Sequence, residues 1–323
     1  MAMTILGTGS CFPENTVTND DLSRIMDTSD EWIRERTGIE RRHISSVEDH
    51  SRMVSEAAKR AVEQAGVQPD EIDLIIVATL SADYSVPCAA CIVQSQIGAS
   101  NAVCFDVNAA CSGFVYALNI ANGYFSAGMA QTALVVGGEC LSRMLDWTDR
   151  STSVLFGDGA GAAVVRKKEE NLYVTSQGAD GGRSEALVYK REPIRNPYRE
   201  ETEAKEETHY LSMDGQMVYR FAVKIIPKCI EDLLDKAGLA IDDVDCFLLH
   251  QANRRIVESA AKRLHIPPEK IPMNLQEFGN TSAASIPHLL DEVYRDNRLK
   301  KGDKIVLCGF GGGLTWGAIL MEL

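Results

Sequence analysis

Aligning the chain with itself at an offset of 172 residues lays 65-AGVQPDEIDLIIVAT-79 over 237-AGLAIDDVDCFLLHQ-251. Ala-Gly, two acidic positions, an aliphatic residue and Asp recur in register. The same offset lays 133-ALVVGG-138 over 305-IVLCGF-310, each a short apolar run with glycine at or near its end. Two matches at one offset point to a duplicated unit. A duplication constrains the fold strongly, because each half must then bury equivalent faces.

Each copy reads as a helix ending in Ala-Gly, a turn, and a strand. Gly66 and Gly238 suit the left-handed residue that closes a helix. The runs Leu74-Ile75-Ile76-Val77 and Phe247-Leu248-Leu249 are apolar without alternation, as expected of strands covered on both faces. The expected fold class is α/β, with two βα-rich halves related by a pseudo-twofold axis and an active site between them. The charged stretch 166-RKKEENL-172 follows the Gly/Ala-rich strand signal 157-GDGAGAAVV-165, and divides the chain into halves 1–170 and 171–323. The highly charged segment 190–210 is read as a surface excursion.

Charge and composition narrow the function. A formal net charge of −13 disfavours nucleic acid as a partner, since phosphate contacts need a basic surface. The start of the chain lacks a basic segment followed by a long apolar one, and no window of about 18 apolar residues occurs, so neither a leader nor a membrane span is expected. The expected location is cytoplasmic. Nine cysteines, an odd number scattered over 323 residues, do not form a disulfide framework and are expected as thiols. Cys88 and Cys91 form the sole C-x-x-C pair and are read as buried helix residues; no metal site is expected.

One cysteine stands apart. In 106-DVNAACSGFVYALNIAN-122, Cys111 sits among small residues at the front of an apolar helical run. Unpaired amides and the positive end of the helix dipole there favour a thiolate, so its pKa is expected to fall below about 8.5. His250 ends the second-half strand 246-CFLLH-250, at a strand-to-helix junction where α/β folds place ligand-binding residues. Asn280, in 278-FGNTSAASIPHLLDEVY-294, suits either a helix cap or a hydrogen-bond donor to a developing anion. The glycines Gly311 to Gly313 suit a tight turn or close backbone approach to an oxyanion. Neither they nor 7-GTGSCF-12 match a dinucleotide or phosphate loop.

The segments 108-NAACSGF-114, 250-HQANRRI-256 and 279-GNTSAASIP-287 together resemble β-ketoacyl-acyl carrier protein synthase III, of the thiolase fold. The resemblance extends to 31-EWIRERTGI-39, 147-WTDRSTSVLFGDGAGAAV-164 and the ending GFGGGLTWG from residue 309. It implies two βαβαβαββ halves in a five-layered αβαβα arrangement, usually as a homodimer. It implies also that acyl-CoA and malonyl-acyl carrier protein are substrates, with no cofactor. Cys111 would accept the acyl group, the N–H groups of Cys111 and Gly312 would hold the oxyanion, and His250 and Asn280 would stabilise the enolate formed by decarboxylation. Trp32 and Arg150 would sandwich the CoA adenine, with Arg36 near its phosphates. Arg220, Arg255, Lys262 and Arg263 would offer the acidic carrier protein a basic landing patch. Val86 would border the partner subunit's acyl pocket, where a smaller side chain leaves room for a branched or longer primer.

The same residues leave other readings open. A relative priming polyketide or secondary-product synthesis is the nearest alternative. A chalcone-synthase-like enzyme would use Cys, His and Asn with malonyl-CoA, and a Cys-His hydrolase would release free acid. A 3-hydroxy-3-methylglutaryl-CoA synthase needs a further acid–base glutamate, and the sequence singles none out.

Overall fold

A computed structural model describes residues 2–190, 197–198 and 210–323. Apart from Lys190, 197–198 and Tyr210, the charged segment 190–210 lies outside the described residues.

The first half runs from β1 (Ala2–Cys11) through a ribbon of β2 (Thr16–Thr18) and β3 (Arg41–His43) that brackets α1 (Asn19–Ser23) and α2 (Asp30–Thr37). It continues with α3 (His50–Ala65), β4 (Leu74–Ala78), α4 (Ala89–Ile97), β5 (Val103–Val107), α5 (Gly113–Ser126), β6 (Thr132–Glu139) and β7 (Gly159–Lys168). The second half holds β8 (Tyr173–Ala179), the short pair β9 (Leu187–Val188) and β10 (Ser212–Met213), α6 (Gly215–Ala237), β11 (Cys246–Leu249) and α7 (Arg254–Leu264). It ends with α8 (Leu275–Phe278), α9 (Ser285–Arg295), β12 (Lys304–Gly311) and β13 (Thr315–Glu322).

The repeat becomes two sheets, β1-β7-β6-β4-β5 and β11-β12-β13-β8. The offset of 172 carries the start of β4 onto the start of β11 and both ends of β6 onto those of β12. Both Ala-Gly junctions behave as expected: Gly66 closes α3 at φ 64° and Gly238 closes α6 at φ 67°. The second sheet has no counterpart of β5 among the described residues. The stretch leading into α8 is Ile271-Pro272-Met273, and Pro272 has no N–H to give to a ladder.

Strand alternation sorts the apolar runs into layers. Leu74, Ile76, Ala133 and Val135 face inward onto α5 and α9, as do Leu248, Ile305 and Leu307 from the second sheet. Ile75, Val77, Leu134 and Val136 face outward onto α3 and α4, whereas Phe247, Leu249 and Val306 face α6 and α7. The result is the five-layered αβαβα thiolase arrangement, with α5 and α9 buried between the sheets. Edge strand β5 is only partly covered, unlike the fully buried β4 and β6.

Two glycines bring the halves together at one point. A Cβ on Gly137 of β6 would stand 2.2 Å from the Ala283 carbonyl oxygen, and one on Gly311 of β12 would stand 2.7 Å from the Cys111 nitrogen. Any side chain there would push the loop before α9 and the loop before α5 off the strand ends.

Candidate active site

Cys111 lies in a single 3-10 turn, Ala110–Ser112, between β5 and α5. Ala110 has φ 46°, a left-handed conformation that costs a non-glycine residue about 1 kcal/mol. The sulfur's residue is only 5% exposed, and burial pushes its thiol up to about 12. This reverses the shift expected from the helix terminus. Desolvation is the largest cause and the carboxylate of Glu139 adds to it, while the Ser282 hydroxyl and the Cys111 backbone N–H pull the thiol back down.

His250 follows β11, and its N–H donates to the Cys308 carbonyl at 2.9 Å. Its ring stands edge-on to Phe310, with centroids 5.1 Å apart, and Nδ1 lies 2.5 Å from Ser285 Oγ at the start of α9. Burial lowers its pKa to about 3, so it is a neutral imidazole whose other nitrogen, Nε2, is left for a ligand.

Asn280 is not a helix cap. Its Oδ1 accepts the Ser282 N–H at 2.9 Å, its own N–H donates to Leu155, and its carbonyl accepts from Gly157. With Oδ1 engaged, Nδ2 is the group available to a substrate oxygen. The following residue, Thr281, is tied to His288, whose other ring nitrogen meets Asn274.

Cys111, His250 and Asn280 line one cleft of about 660 Å³, together with Gly311 and, at its outer end, Trp32, Arg36, Arg220 and Arg255. A second cavity, of about 400 Å³, opens from Cys111 and is walled by Leu80, Leu141, Phe156, Leu187 and Leu211, with Gly312 beside the cysteine. Thr315 Oγ1 ties the glycine turn to the nucleophile loop through the Ala109 carbonyl and Ser112 Oγ, both at 3.1 Å. The sequence had not singled out the five apolar wall residues.

Trp32 carries guanidinium groups at 4.5 Å from Arg36 and 5.1 Å from Arg150. A base stacked between two planes needs them about 7 Å apart, twice a van der Waals contact. Arg150, held here to Asp27, must therefore swing aside to admit one. Lys262 and Arg263 are exposed in the last turn of α7, away from the cleft lining. Val86 is 86% exposed and lines neither cavity of its own chain. Cys88 and Cys91 are free thiols 3.4 Å apart but near the surface rather than buried, Cys88 at the N-cap of α4 and Cys91 on its exposed face. Among the described residues no cluster has the ligands to hold a metal ion.

Glu139 is the residue the sequence reading missed. It ends β6 on the inward face, fully buried, and burial raises its pKa to about 7. Oε2 accepts from Thr79 Oγ1 at 3.2 Å, Leu80 N at 3.1 Å and Ser81 Oγ at 2.5 Å; Oε1 accepts from Ser282 Oγ at 3.3 Å. The available signal was an acidic side chain at an inward position of an otherwise apolar strand.

Fold and site thus define a thiolase-fold condensing enzyme with a buried cysteine, a neutral histidine and an asparagine in one cleft. Residues 105–181 match the family described as 3-oxoacyl-[acyl-carrier-protein] synthase III, and residues 234–323 its C-terminal part. The β-ketoacyl-[acyl-carrier-protein] synthase III of Clostridium acetobutylicum is 49% identical, over 98% of each chain. The crystal structure of the Aquifex aeolicus 3-oxoacyl-[acyl-carrier-protein] synthase III matches with TM-score 0.92 and 43% identity, covering 100% of both chains. A priming β-ketosynthase from the R1128 polyketide pathway matches at TM-score 0.90 and 35% identity, over 99% of this chain and 96% of that one. The chain belongs to the 3-oxoacyl-[acyl-carrier-protein] synthase III family, acyltransferases of fatty acid synthesis.

Proposed function

We propose that this chain catalyses the initiating condensation: acyl-CoA and malonyl-acyl carrier protein give 3-oxoacyl-acyl carrier protein, CoA and CO2. The observation that carries this is the convergence of Cys111, His250 and Asn280 on one cleft whose outer end bears Trp32 and Arg36. Cys111 attacks the acyl-CoA thioester, with the N–H groups of Cys111 and Gly312 holding the oxyanion, and CoA departs. The acyl chain then occupies the apolar cavity of about 400 Å³ behind the sulfur. Malonyl-carrier protein enters next. His250 Nε2 and Asn280 Nδ2 donate to its thioester oxygen, so that loss of CO2 leaves an enolate rather than a free carbanion. The enolate carbon attacks the acyl-cysteine and frees the sulfur. A neutral histidine suits this role, since it donates a hydrogen bond without surrendering a proton to the enolate.

Trp32, Arg36 and a displaced Arg150 hold CoA. Arg220, Arg255, Lys262 and Arg263 receive the carrier protein. The reaction needs no cofactor or metal beyond its two substrates. Partly covered edge strand β5 and the outward-facing Val86 fit a homodimer in which Val86 reaches the second subunit's acyl pocket. The halves 1–170 and 171–323 contribute the nucleophile and the decarboxylation pair respectively. The protein works in the cytoplasm; among the described residues no helix is long and apolar enough to cross a membrane.

The polyketide-priming neighbour keeps a second reading in play, in which the same condensation starts a secondary product. One assay tests both: a panel of acetyl, branched and longer acyl-CoA primers with malonyl-carrier protein. The expected result is a 3-ketoacyl product, with CO2, and mass addition at Cys111 that Cys111→Ser abolishes. Release of free acid would overturn the reading in favour of a hydrolase. Turnover confined to acetyl-CoA would overturn the role of Val86.

A further inference from the structure

Forming a Cys111 thiolate requires a place for its proton, and the groups that face the sulfur exclude most candidates. His250 is neutral with a pKa of about 3 and takes no proton at neutral pH. Asn280 is not a base. Arginine and lysine stand only at the outer end of the cleft. Glu139 remains, buried behind Ser282, with Oε2 saturated by three donors and Oε1 receiving only the Ser282 hydroxyl. Ser282 lines the same cavity as Cys111, lowers its thiol pKa, and donates to Glu139 Oε1 at 3.3 Å. It is held in that position by an unusual backbone, φ 49°, and by its N–H on Asn280 Oδ1.

We propose that Ser282 and Glu139 form a proton relay for Cys111, with Glu139 Oε1 as the terminal acceptor during acylation. This deepens the proposed function, resting on Cys111 as the acylated nucleophile. As the sulfur attacks the thioester, its proton moves to Ser282 Oγ and the Ser282 proton moves to Oε1. The C–S bond to CoA breaks, and CoA leaves as a thiolate that takes a proton from solvent. The relay never leaves two anions on either side of one hydroxyl, which would repel in a low dielectric; the single negative charge passes from Glu139 to the oxyanion and leaves with CoA. In the second half-reaction the enolate displaces the cysteine thiolate, and the proton returns from Glu139 through Ser282 to the sulfur. One solvent proton is consumed per turnover, as decarboxylative condensation requires.

The groups around Glu139 do not offer another route. Thr79 and Ser81, following β4, present hydroxyls only. Across the strand His50 is held on the Gly138 carbonyl, and Cys140 points towards Asp158. No cation pairs with Glu139 among the described residues.

The test is the rate of Cys111 acylation by acyl-CoA, followed by intact-protein mass between pH 6 and 9. The wild-type rate should rise through an inflection near 7 and level off. In Glu139→Gln it should fall by about 10²-fold at pH 8, within the usual range for a lost proton acceptor, and the inflection should vanish. Ser282→Ala should lose both in the same way, and it carries the test if Glu139→Gln does not fold. Glu139→Asp should keep the inflection and recover at least a tenth of the rate. Acylation of folded Glu139→Gln or Ser282→Ala within about threefold of wild type, with its inflection unchanged, overturns the relay. Absence of wild-type acylation at Cys111 overturns instead the nucleophile on which it rests.

Discussion

Ser285 Oγ stands 2.5 Å from His250 Nδ1, and this contact governs which ring nitrogen meets the substrate. A neutral imidazole carries one N–H. The proposed donor to the malonyl thioester oxygen needs that N–H on Nε2, the tautomer in which Nδ1 accepts from the Ser285 hydroxyl. Ser285 is thus a positioning residue, buried at the start of α9.

Ser285→Ala should therefore slow CO2 release from malonyl-carrier protein by about tenfold or more, in the range for losing a histidine's orienting partner. Self-acylation of Cys111 should change less than twofold, because His250 does not take the thiol proton. Radiolabelled CO2 release and mass addition separate the two half-reactions. Equal losses in both would place Ser285 in general packing rather than in tautomer control.

Stability should depend on pH with opposing signs from two kinds of buried group. His250 and His288 are held at about 3, far below the ordinary 6.5. Between those values the unfolded chain binds protons that the folded chain refuses, so stability rises with pH up to about 6.5. Each contributes roughly 1.4 kcal/mol per pH unit. Glu139 is raised from 4.5 to about 7, so in that window the folded chain holds the extra proton and stability falls as pH rises. Urea midpoints from pH 4.5 to 6.5 should give a flatter rise in His250→Gln and a steeper one in Glu139→Gln. An unchanged slope in His250→Gln would mean that its ring is protonated in the folded protein.

The duplication was legible because matching strands kept a common spacing: the ends of β6 and β12, and the starts of β4 and β11, carry the same offset. The layer assignment was not, since Leu74 to Val77 are all apolar and only packing tells their two faces apart. Cys111, His250 and Asn280 stand at segment junctions visible in sequence, and the fold brings them to one cleft. The buried setting of Glu139 is not visible in this way, because its donors are hydroxyls and an N–H on two other segments, 79–81 and Ser282, that no local pattern joins to it. The thiol shift was misread for the same reason: a helix terminus is visible in sequence, whereas the protein packed over it is not.

At the outer end of the cleft, Trp32 is stacked by both Arg36 and Arg150. Arg150→Ala removes a competitor for the ring along with a partner for the base, whereas Trp32→Ala removes the platform itself. Trp32→Ala should raise KM for acyl-CoA by about tenfold, corresponding to a stacking loss of roughly 1 to 2 kcal/mol. Arg150→Ala should raise it less. Alkylation of Cys111 by iodoacetamide should stay unchanged in both, since neither residue touches the sulfur. Equal KM values in Trp32→Ala and wild type would move CoA elsewhere.

The proposed carrier-protein docking depends on which arginine of α7 is free to meet it. Arg254 packs over Gly38 and pairs with Glu258 at 3.9 Å, so it is committed to its own chain. Arg255 lines the cleft mouth with Arg220. Lys262 lies seven residues on along the same helix, about 10 Å further from the mouth. Charge reversal at Arg255 should raise KM for malonyl-carrier protein by about tenfold at low salt, with a smaller rise for Lys262→Glu. KM for malonyl-CoA used as a surrogate should move by less than twofold, because it lacks the acidic protein surface. The difference should shrink above about 0.1 M salt, where screening acts within 10 Å. A salt-independent loss shared by both malonyl donors would mean that Arg255 touches the thioester arm rather than the carrier protein.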